Sequence, residues 1–248
     1  MHQVLSLALI YGLMVVGFQK ECDMSLICAV IPARCGSKSI KDKNIQLLGG
    51  KPLLVYSIET AIHSIFIGRI IVSTDSEEYA AIASKWGAEV VVRPKELSQD
   101  NSCDVDWVLH LLSQLKEKPK YLVHLRPTSP LRQSFIVNNA IRCINNHPEA
   151  SALRSVTPQA QSAYKHFEID GSYLKSVGSG SFNLDEANKP RHLYPTTYDA
   201  NGYVDILKTA YVLKNNRIHG DKVIPFMVPR ITDIDTQEDL DYARFEAR

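Results

Sequence analysis

The chain has 248 residues, 45% hydrophobic against 22% charged, which is enough apolar material to bury a sizeable core and excludes a disordered chain. Its 28 Lys and Arg against 27 Asp and Glu leave a net charge of +1, so the overall basic footprint of a dedicated nucleic-acid binder is missing and charge has to be read locally. The 12 Gly and 12 Pro are scattered without period, which excludes collagen-like and low-complexity readings.

In chain order, the first feature is the apolar run Val4 to Phe18. Its 15 residues fall short of the ~20 that span a bilayer as a helix. It has the look of a signal-peptide core, yet no Lys or Arg precedes it and no A-x-A cleavage site follows. A second Met, Met24, stands directly before an apolar strand pattern, Leu26 to Ile31. Residues 1–23 are therefore expected to be a dispensable extension or an upstream start, and 24–248 the functional domain, with no membrane association. The cysteines Cys22, Cys28, Cys35, Cys103 and Cys143 are odd in number with no C-x-x-C pair. They fit neither a disulfide framework nor a thiolate metal site and point to a reducing, cytoplasmic compartment.

From Leu26 to about His147, β-branched runs alternate with amphipathic helical patterns. ICAVI leads to a helix over Leu53–Ile65, RIIVST to one over Glu77–Trp86, AEVVV to one over Val105–Leu115, and YLVHL to one over Phe135–Asn146. Continuous apolar strands, each followed by a helix, predict a mostly parallel α/β sheet covered on both faces. From Ala150 to Arg191 the rhythm breaks into SALRSV, HFEI, the turn pair Asp170-Gly171 and the GSGSF run from Gly178, which predicts a small antiparallel insertion over about 150–191. A strand over Gly202–Leu207, a short helix near Thr209–Lys214, an apolar run Val223–Val228 and an amphipathic tail from Gln237 complete the pattern.

In open α/β sheets ligands gather beyond the carboxyl ends of the strands, which directs attention to the loop after the first strand. Arg34, Lys38, Lys41 and Lys43 fall within ten residues there, together with Gly36 and Ser37. Cations, backbone N–H groups and a hydroxyl in a strand-to-helix turn suit a triphosphate, although a solvated basic loop has the same composition. The Walker spacing is absent. Cys35 sits among cations that can lower a thiol pKa, but without a general base nearby in sequence it reads more simply as an incidental small residue. In Asp233-Ile234-Asp235 an extended backbone puts both carboxylates on one face, a donor set that suits Mg²⁺ together with phosphate oxygens, or else one that merely caps a turn. Thr236 with Asp239 reads as the N-cap of the last helix.

The stretch IPARCGSKSIKDKN resembles the first motif of the CMP-sialate synthetases (acylneuraminate cytidylyltransferases) and, more loosely, that of the CMP-Kdo synthetases. IIVSTDS at Ile70, VVRPKEL at Val91, RPTSPLR at Arg126 and TDIDTQEDL at Thr232 agree with the same family in the same order. The resemblance implies a Rossmann-like cytidylyltransferase that joins CTP to an acidic keto-sugar, releasing pyrophosphate, with Mg²⁺ held by Asp233 and Asp235. It further implies that Arg34, Lys38 and Lys43 hold the triphosphate, that Asn44, Arg93 and Ser102 contact the nucleotide, and that Lys165, Arg191 and Asn201 face the sugar. Arg34, Lys43, Asp233 and Asp235 would carry the catalysis. A homodimer is implied, in which the insertion reaches toward the partner's site.

Three positions depart from the family pattern. Arg126 stands where Gln is usual, Asp205 where an aromatic is usual, and Asp199 where Arg is usual. Arg126 is therefore expected either to face the sugar or to pair with Asp199 or Asp205. The acceptor implied is a nine-carbon sugar acid such as N-acetylneuraminate or legionaminate; the alternatives are a CMP-Kdo synthetase and a catalytically silent nucleotide-binding scaffold of the same fold.

Overall fold

A seven-stranded sheet forms the centre of the molecule, as seen in a computed structural model that describes residues 26–177 and 184–248. The early apolar run, Cys22, Met24 and the GSGSF run lie outside the described residues. The strands are β1 (Ile27–Pro32), β4 (Arg69–Thr74), β5 (Glu89–Val92), β6 (Tyr121–His124), β7 (Ala152–Pro158), β10 (Tyr198–Lys208) and β11 (Val223–Met227), in the spatial order β11-β7-β10-β6-β1-β4-β5. Only β10 runs against the rest. Two short antiparallel pairs stand apart: β2 (Leu47–Leu48) with β3 (Lys51–Pro52), and β8 (Phe167–Asp170) with β9 (Tyr173–Ser176).

Alternation along β1 explains the layering. Ile27, Ala29 and Ile31 face one side, where α1 (Leu53–Ile62), α2 (Glu77–Lys85) and α4 (Ser134–Asn145) cover them. Cys28 and Val30 face the other, beneath α3 (Asp104–Gln114) and α5 (Thr209–Asn215). Each fully buried Ile or Leu contributes roughly 1.5–3 kcal/mol, so a strand apolar on both faces is stable only between two helical layers. The last helix, α6 (Gln237–Glu246), packs Leu240 and Ala243 onto Leu48, Leu53 and Ile234 as a third small core. Its start is the expected one: Thr236 Oγ1 accepts from Asp239 N at 3.2 Å while the Asp239 carboxylate accepts from Thr236 N at 2.8 Å.

The expected insertion over 150–191 needs correction at both ends. SALRSV is not part of it, since β7 pairs with β10 on one side and β11 on the other, inside the main sheet. The final strand also begins at Tyr198 rather than Gly202, with a register shift between Ala200 and Asp205. Strong local turn signals around 160–190 suggested a break earlier than the one that exists; pairing partners about 50 residues away decide where the strand belongs. What lies outside the sheet, among the described residues, is 159–177 and 184–197, with a β8–β9 hairpin exposed along nearly all its length.

Candidate functional site

The four strands β5-β4-β1-β6 reproduce a 3-2-1-4 order, so the crossovers diverge between β1 and β6 and open a crevice at their carboxyl ends. A cleft of about 410 Å³ lies there, lined by the loops that follow β1, β5 and β6. Arg34, Lys38, Lys43, Asn44, Arg93, Ser102 and Arg126 all line it. A larger concavity of about 590 Å³ at the β5 edge lacks such convergence, and its Arg69 and Glu89 are spent on each other at 2.8 Å.

The loop after β1 is held from three directions. Gly36 takes φ +72°, the left-handed conformation that turns the chain back toward the cleft. Asp75, at the end of β4, accepts from Cys35 N at 2.8 Å and from Cys35 Sγ at 3.0 Å. That hydrogen bond to Asp75 is the main reason the Cys35 thiol is pushed above its ordinary pKa, which favours the thiol over a reactive thiolate. Asn44, nearly buried, donates to Arg34 O at 2.9 Å, so this residue braces the loop that carries the cations.

Arg93 is 4% exposed; its Nε donates to Ser73 Oγ and its Nη2 to Ser73 O, both at 3.1 Å, and its guanidinium lies 5.0 Å from the centre of the Trp107 ring. Burial pushes its pKa down to about 10, which leaves it a cation at neutral pH. Ser102 is engaged in its own turn, accepting from Gln99 N at 3.0 Å and donating to Glu96 O at 3.2 Å.

The segment 126–132 brackets the acidic end of the site. Thr128 O accepts from Ile234 N at 2.8 Å, and Ser129 Oγ donates to Asp233 Oδ1 at 3.1 Å. Fully buried Arg132 donates to Ser57 Oγ, Arg126 O and Gly202 O at 2.7, 2.6 and 3.0 Å. Ile234 is buried, so its two neighbours turn to the opposite side, where Lys43 Nζ reaches Asp235 Oδ1 at 2.9 Å. The donor set fits Mg²⁺: two hard carboxylates two residues apart, beside the Lys43 ammonium. Among the described residues no group of three or more His, Cys, Asp or Glu is placed to hold a metal. Asp233 and Asp235 would therefore hold the ion jointly with substrate oxygens.

Arg126 has the ion pair with Asp205. Nη1 lies 2.8 Å from Asp205 Oδ2 and Nη2 3.1 Å from Asp104 Oδ2, while Asp199 instead accepts from Gln159 Nε2 at 2.5 Å. Asp205 belongs to a polar row across three strands, opposite His124 on β6 and Arg154 on β7. His124 is buried against Trp107 with ring centres 5.2 Å apart, and burial, helped by Arg126, holds its pKa well below 6.5. Arg126 thus lines the cleft and at the same time neutralises a fully buried carboxylate.

The three residues expected to face the sugar are not in the cleft lining. Asn201 sits in the β10 irregularity, where its side chain donates to Thr157 Oγ1 at 2.8 Å and accepts from Ser155 Oγ at 2.7 Å. Lys165 Nζ donates to Lys189 O at 2.9 Å, and Arg191 Nη2 to Gln159 O at 3.4 Å, both in the segment outside the sheet.

Sequence reasoning missed Asp75, Ser129 and Gly202. A Cβ at Gly202 would collide with the Ser129 hydroxyl and lie 3.4 Å from Asp233 Oδ1, so the glycine is required for space. The IIVSTDS and RPTSPLR stretches and the Asn-Gly pair were the available signals, but nothing local says which loop each one braces.

A family model described as cytidylyltransferase matches residues 28–244. The N-acylneuraminate cytidylyltransferase of Escherichia coli O18:K1:H7 is 31% identical over 87% of this chain and 50% of its own length. The CMP-N,N'-diacetyllegionaminic acid synthase of Legionella pneumophila is 29% identical over 89% of this chain and 94% of its own. This chain thus spans about half the length of the first relative and nearly all of the second. Among solved structures, a CMP:2-keto-3-deoxy-manno-octonic acid synthetase complexed with CTP superposes with a TM-score of 0.68, covering 89% of this chain and 97% of its own at 14% identity, a likeness of fold alone.

Proposed function

The chain belongs to the cytidylyltransferase family, and from that premise we propose that it transfers the cytidylyl group of CTP to the anomeric hydroxyl of a nine-carbon keto-acid sugar, releasing pyrophosphate and a CMP-sugar. The observation that carries this reading is that Arg34, Lys38 and Lys43 line one cleft at the carboxyl end of the sheet, where Lys43 also meets Asp235 of the Asp233–Asp235 pair. Cations facing a carboxylate pair beside a cleft match what phosphoryl chemistry demands: positioning for in-line attack and neutralisation of charge on the departing phosphates.

Each residue of the chain has a part. Arg34 and Lys38 hold the β- and γ-phosphates, and Lys43 stands between those phosphates and Asp235. Arg93, fixed on Ser73 and Trp107, presents a rigid positive wall to the nucleotide. Mg²⁺, bound through Asp233 and Asp235, would neutralise phosphate charge at the reacting end. Ser129 and Gly202 keep Asp233 in place, and no covalent nucleophile is needed.

The acceptor is read as a nonulosonic acid from the relatives that match this chain, one named for N-acylneuraminate and one for diacetyllegionaminic acid. Residues 24–248 are read as one catalytic unit, and the segment 159–197 as its dimerisation arm. Exposed Ile169 and Tyr173, at 80% and 81%, support a homodimer in which the arm is covered by the partner. Four free cysteines among the described residues support a cytoplasmic location, and none of the described helices is long and apolar enough to cross a membrane.

Pyrophosphate release measured over the four nucleoside triphosphates, crossed with a panel of eight- and nine-carbon keto-acid sugars, tests the reading. Turnover is expected only with CTP and a nine-carbon acid. Turnover with Kdo alone would reassign the acceptor, and none with any pair would leave a silent scaffold.

A further inference from the structure

The loop between β5 and α3 folds over the cations of the loop after β1, and one side chain in it is placed against two of them. Asp100 Oδ1 lies 2.9 Å from Arg34 Nη2, and Asp100 Oδ2 lies 2.5 Å from Lys38 Nζ. Arg34 also donates from Nη1 to Ser98 O at 3.4 Å, so the same loop engages both ends of that guanidinium. The turn that presents Asp100 is stiffened by Ser102, whose hydroxyl accepts from Gln99 N and donates to Glu96 O. Asp100 and its neighbour Gln99 line the cleft beside Arg34 and Lys38. Both cations hold Asp100 below the usual carboxylate range.

A carboxylate bridging two cations offers them two anionic oxygens, as a phosphate group does. Any phosphate chain that engages Arg34 and Lys38 has to take over both contacts from Asp100. We infer that Asp100 is an intramolecular competitor for the phosphates at Arg34 and Lys38, and that it sets the affinity of that part of the cleft. The inference rests on the reading that the loop after β1 holds the triphosphate of CTP.

The chemistry of the exchange gives the residue its use. The cations pass from one set of anionic oxygens to another, so binding and release never leave two charges bare. A single carboxylate yields to a polyphosphate carrying several charges, but competes well with a monoanion. The carboxylate therefore weakens each phosphate ligand that must displace it and so helps pyrophosphate to leave. An ordinary surface ion pair contributes little, and its removal would change nothing specific. What sets Asp100 apart is that its two partners are the phosphate-binding cations themselves.

The test is calorimetric titration of the full chain with inorganic pyrophosphate and tripolyphosphate, comparing wild type, Asp100→Asn and Asp100→Ala at fixed ionic strength. Glu96→Gln is the control, since Glu96 is an exposed acid of the same loop that pairs with neither cation. Both Asp100 variants are expected to bind tighter by about five- to tenfold, the range that two exposed ion pairs can supply, with Glu96→Gln within about twofold of wild type. Inhibition of turnover by pyrophosphate should strengthen by the same factor. Unchanged or weaker binding in the Asp100 variants, with clear binding by wild type, overturns the inference and leaves the loop assignment standing. An equal gain in Glu96→Gln overturns it as well, because net charge alone would then account for the effect. Absence of polyphosphate binding in wild type and variants alike sinks the loop assignment, and the inference with it.

Discussion

The cleft at the carboxyl end of the sheet and the described residues of the 159–197 arm both carry cations expected to meet substrate, yet they are built differently. Around the cleft several of the side chains proposed to act have a second residue holding them. Asp75 and Asn44 fix the loop of Arg34, Ser73 fixes Arg93, and Ser129 fixes Asp233. Among the described residues of the arm, Lys165 is held by Lys189 O and the Tyr194 ring, 5.3 Å from its centre, and Arg191 by Gln159 O, all within their own segment, and apolar side chains nearby are exposed. A geometry accurate enough for phosphoryl transfer needs supports of this kind, and the loops at the carboxyl ends of the strands supply them within one chain. The described parts of the arm are held by their own segment, as in Ser162 Oγ donating to Pro195 O at 2.8 Å, and by no bond to the cleft loops that is seen among the described residues.

The largest effect expected is at the acidic end of the rigid half. Asp235→Ala should lower kcat by roughly a hundred- to a thousandfold, the usual loss when a group that stabilises transition-state charge is removed. Its melting temperature should hold, because this side chain is 73% exposed. Pyrophosphate release together with a thermal melt checks both halves of the expectation. Near-normal turnover would move the reacting end of the cleft away from Asp235.

Next comes Arg126→Gln, which strips the main partner from a carboxylate that is fully buried at Asp205. Arg154 Nε, 3.7 Å from Asp205 Oδ1, would remain as a longer and weaker partner, so the loss should approach but not exceed the about 3–5 kcal/mol of a broken buried pair, and the variant should melt below wild type. Replacing Asp205 by Leu in the same chain should recover much of the loss. If the single variant were as stable as wild type while its preference among sugars changed, Arg126 would belong to the acceptor side instead of the rigid half.

A smaller, sharper division is expected in the Michaelis constants. Arg34→Ala should raise KM for CTP about tenfold, the usual value of one charge-assisted contact, and leave the sugar KM nearly constant. Lys165→Ala and Arg191→Ala should do the reverse. Steady-state kinetics with each substrate varied in turn would expose a mixed pattern, and such a pattern would erase the boundary between the two regions.

The smallest effect concerns the dry wall behind the cleft. His124 is neutral in the fold, with a pKa well below the ordinary 6.5 because of burial. As pH falls through about 6.5 the unfolded chain takes up a proton that the fold refuses, so stability drops by up to about 1.4 kcal/mol per pH unit until the folded pKa is reached. Burial lowers His110 and His219 as well, so the slope is shared. Asp104 is depressed from 3.8 and does not contribute above pH 5. His124→Phe should reduce the loss between pH 7.5 and 5.5 by about 1 kcal/mol, measured by denaturant titration. An unaltered slope would mean that water reaches the row behind Arg126.

Local pattern was sufficient for much of this protein. Continuous β-branched apolar runs and stripes of period 3.6 located the main-sheet strands and the helices from β1 to α4, because a strand covered on both faces is apolar throughout and a helix buries one stripe. Thr236 and Asp239 announced the last helix as well, since a cap is made within four residues. The clustering of cations after β1 was equally plain in the chain.

Tertiary structure alone decided what those residues do. Lys43 and Asp235 meet across 192 residues, Asp75 reaches back to Cys35 across 40, and Ser129 finds Asp233 across 104. SALRSV became a sheet strand, and Asn201 turned to Ser155 and Thr157, because β7 and β10 lie side by side. Arg126 met Asp205 through the pairing of β6 with β10. Periodicity records which way a side chain points along its own element. Which element stands opposite is settled by strand order and register, and these depend on how all the apolar faces of the chain are buried together.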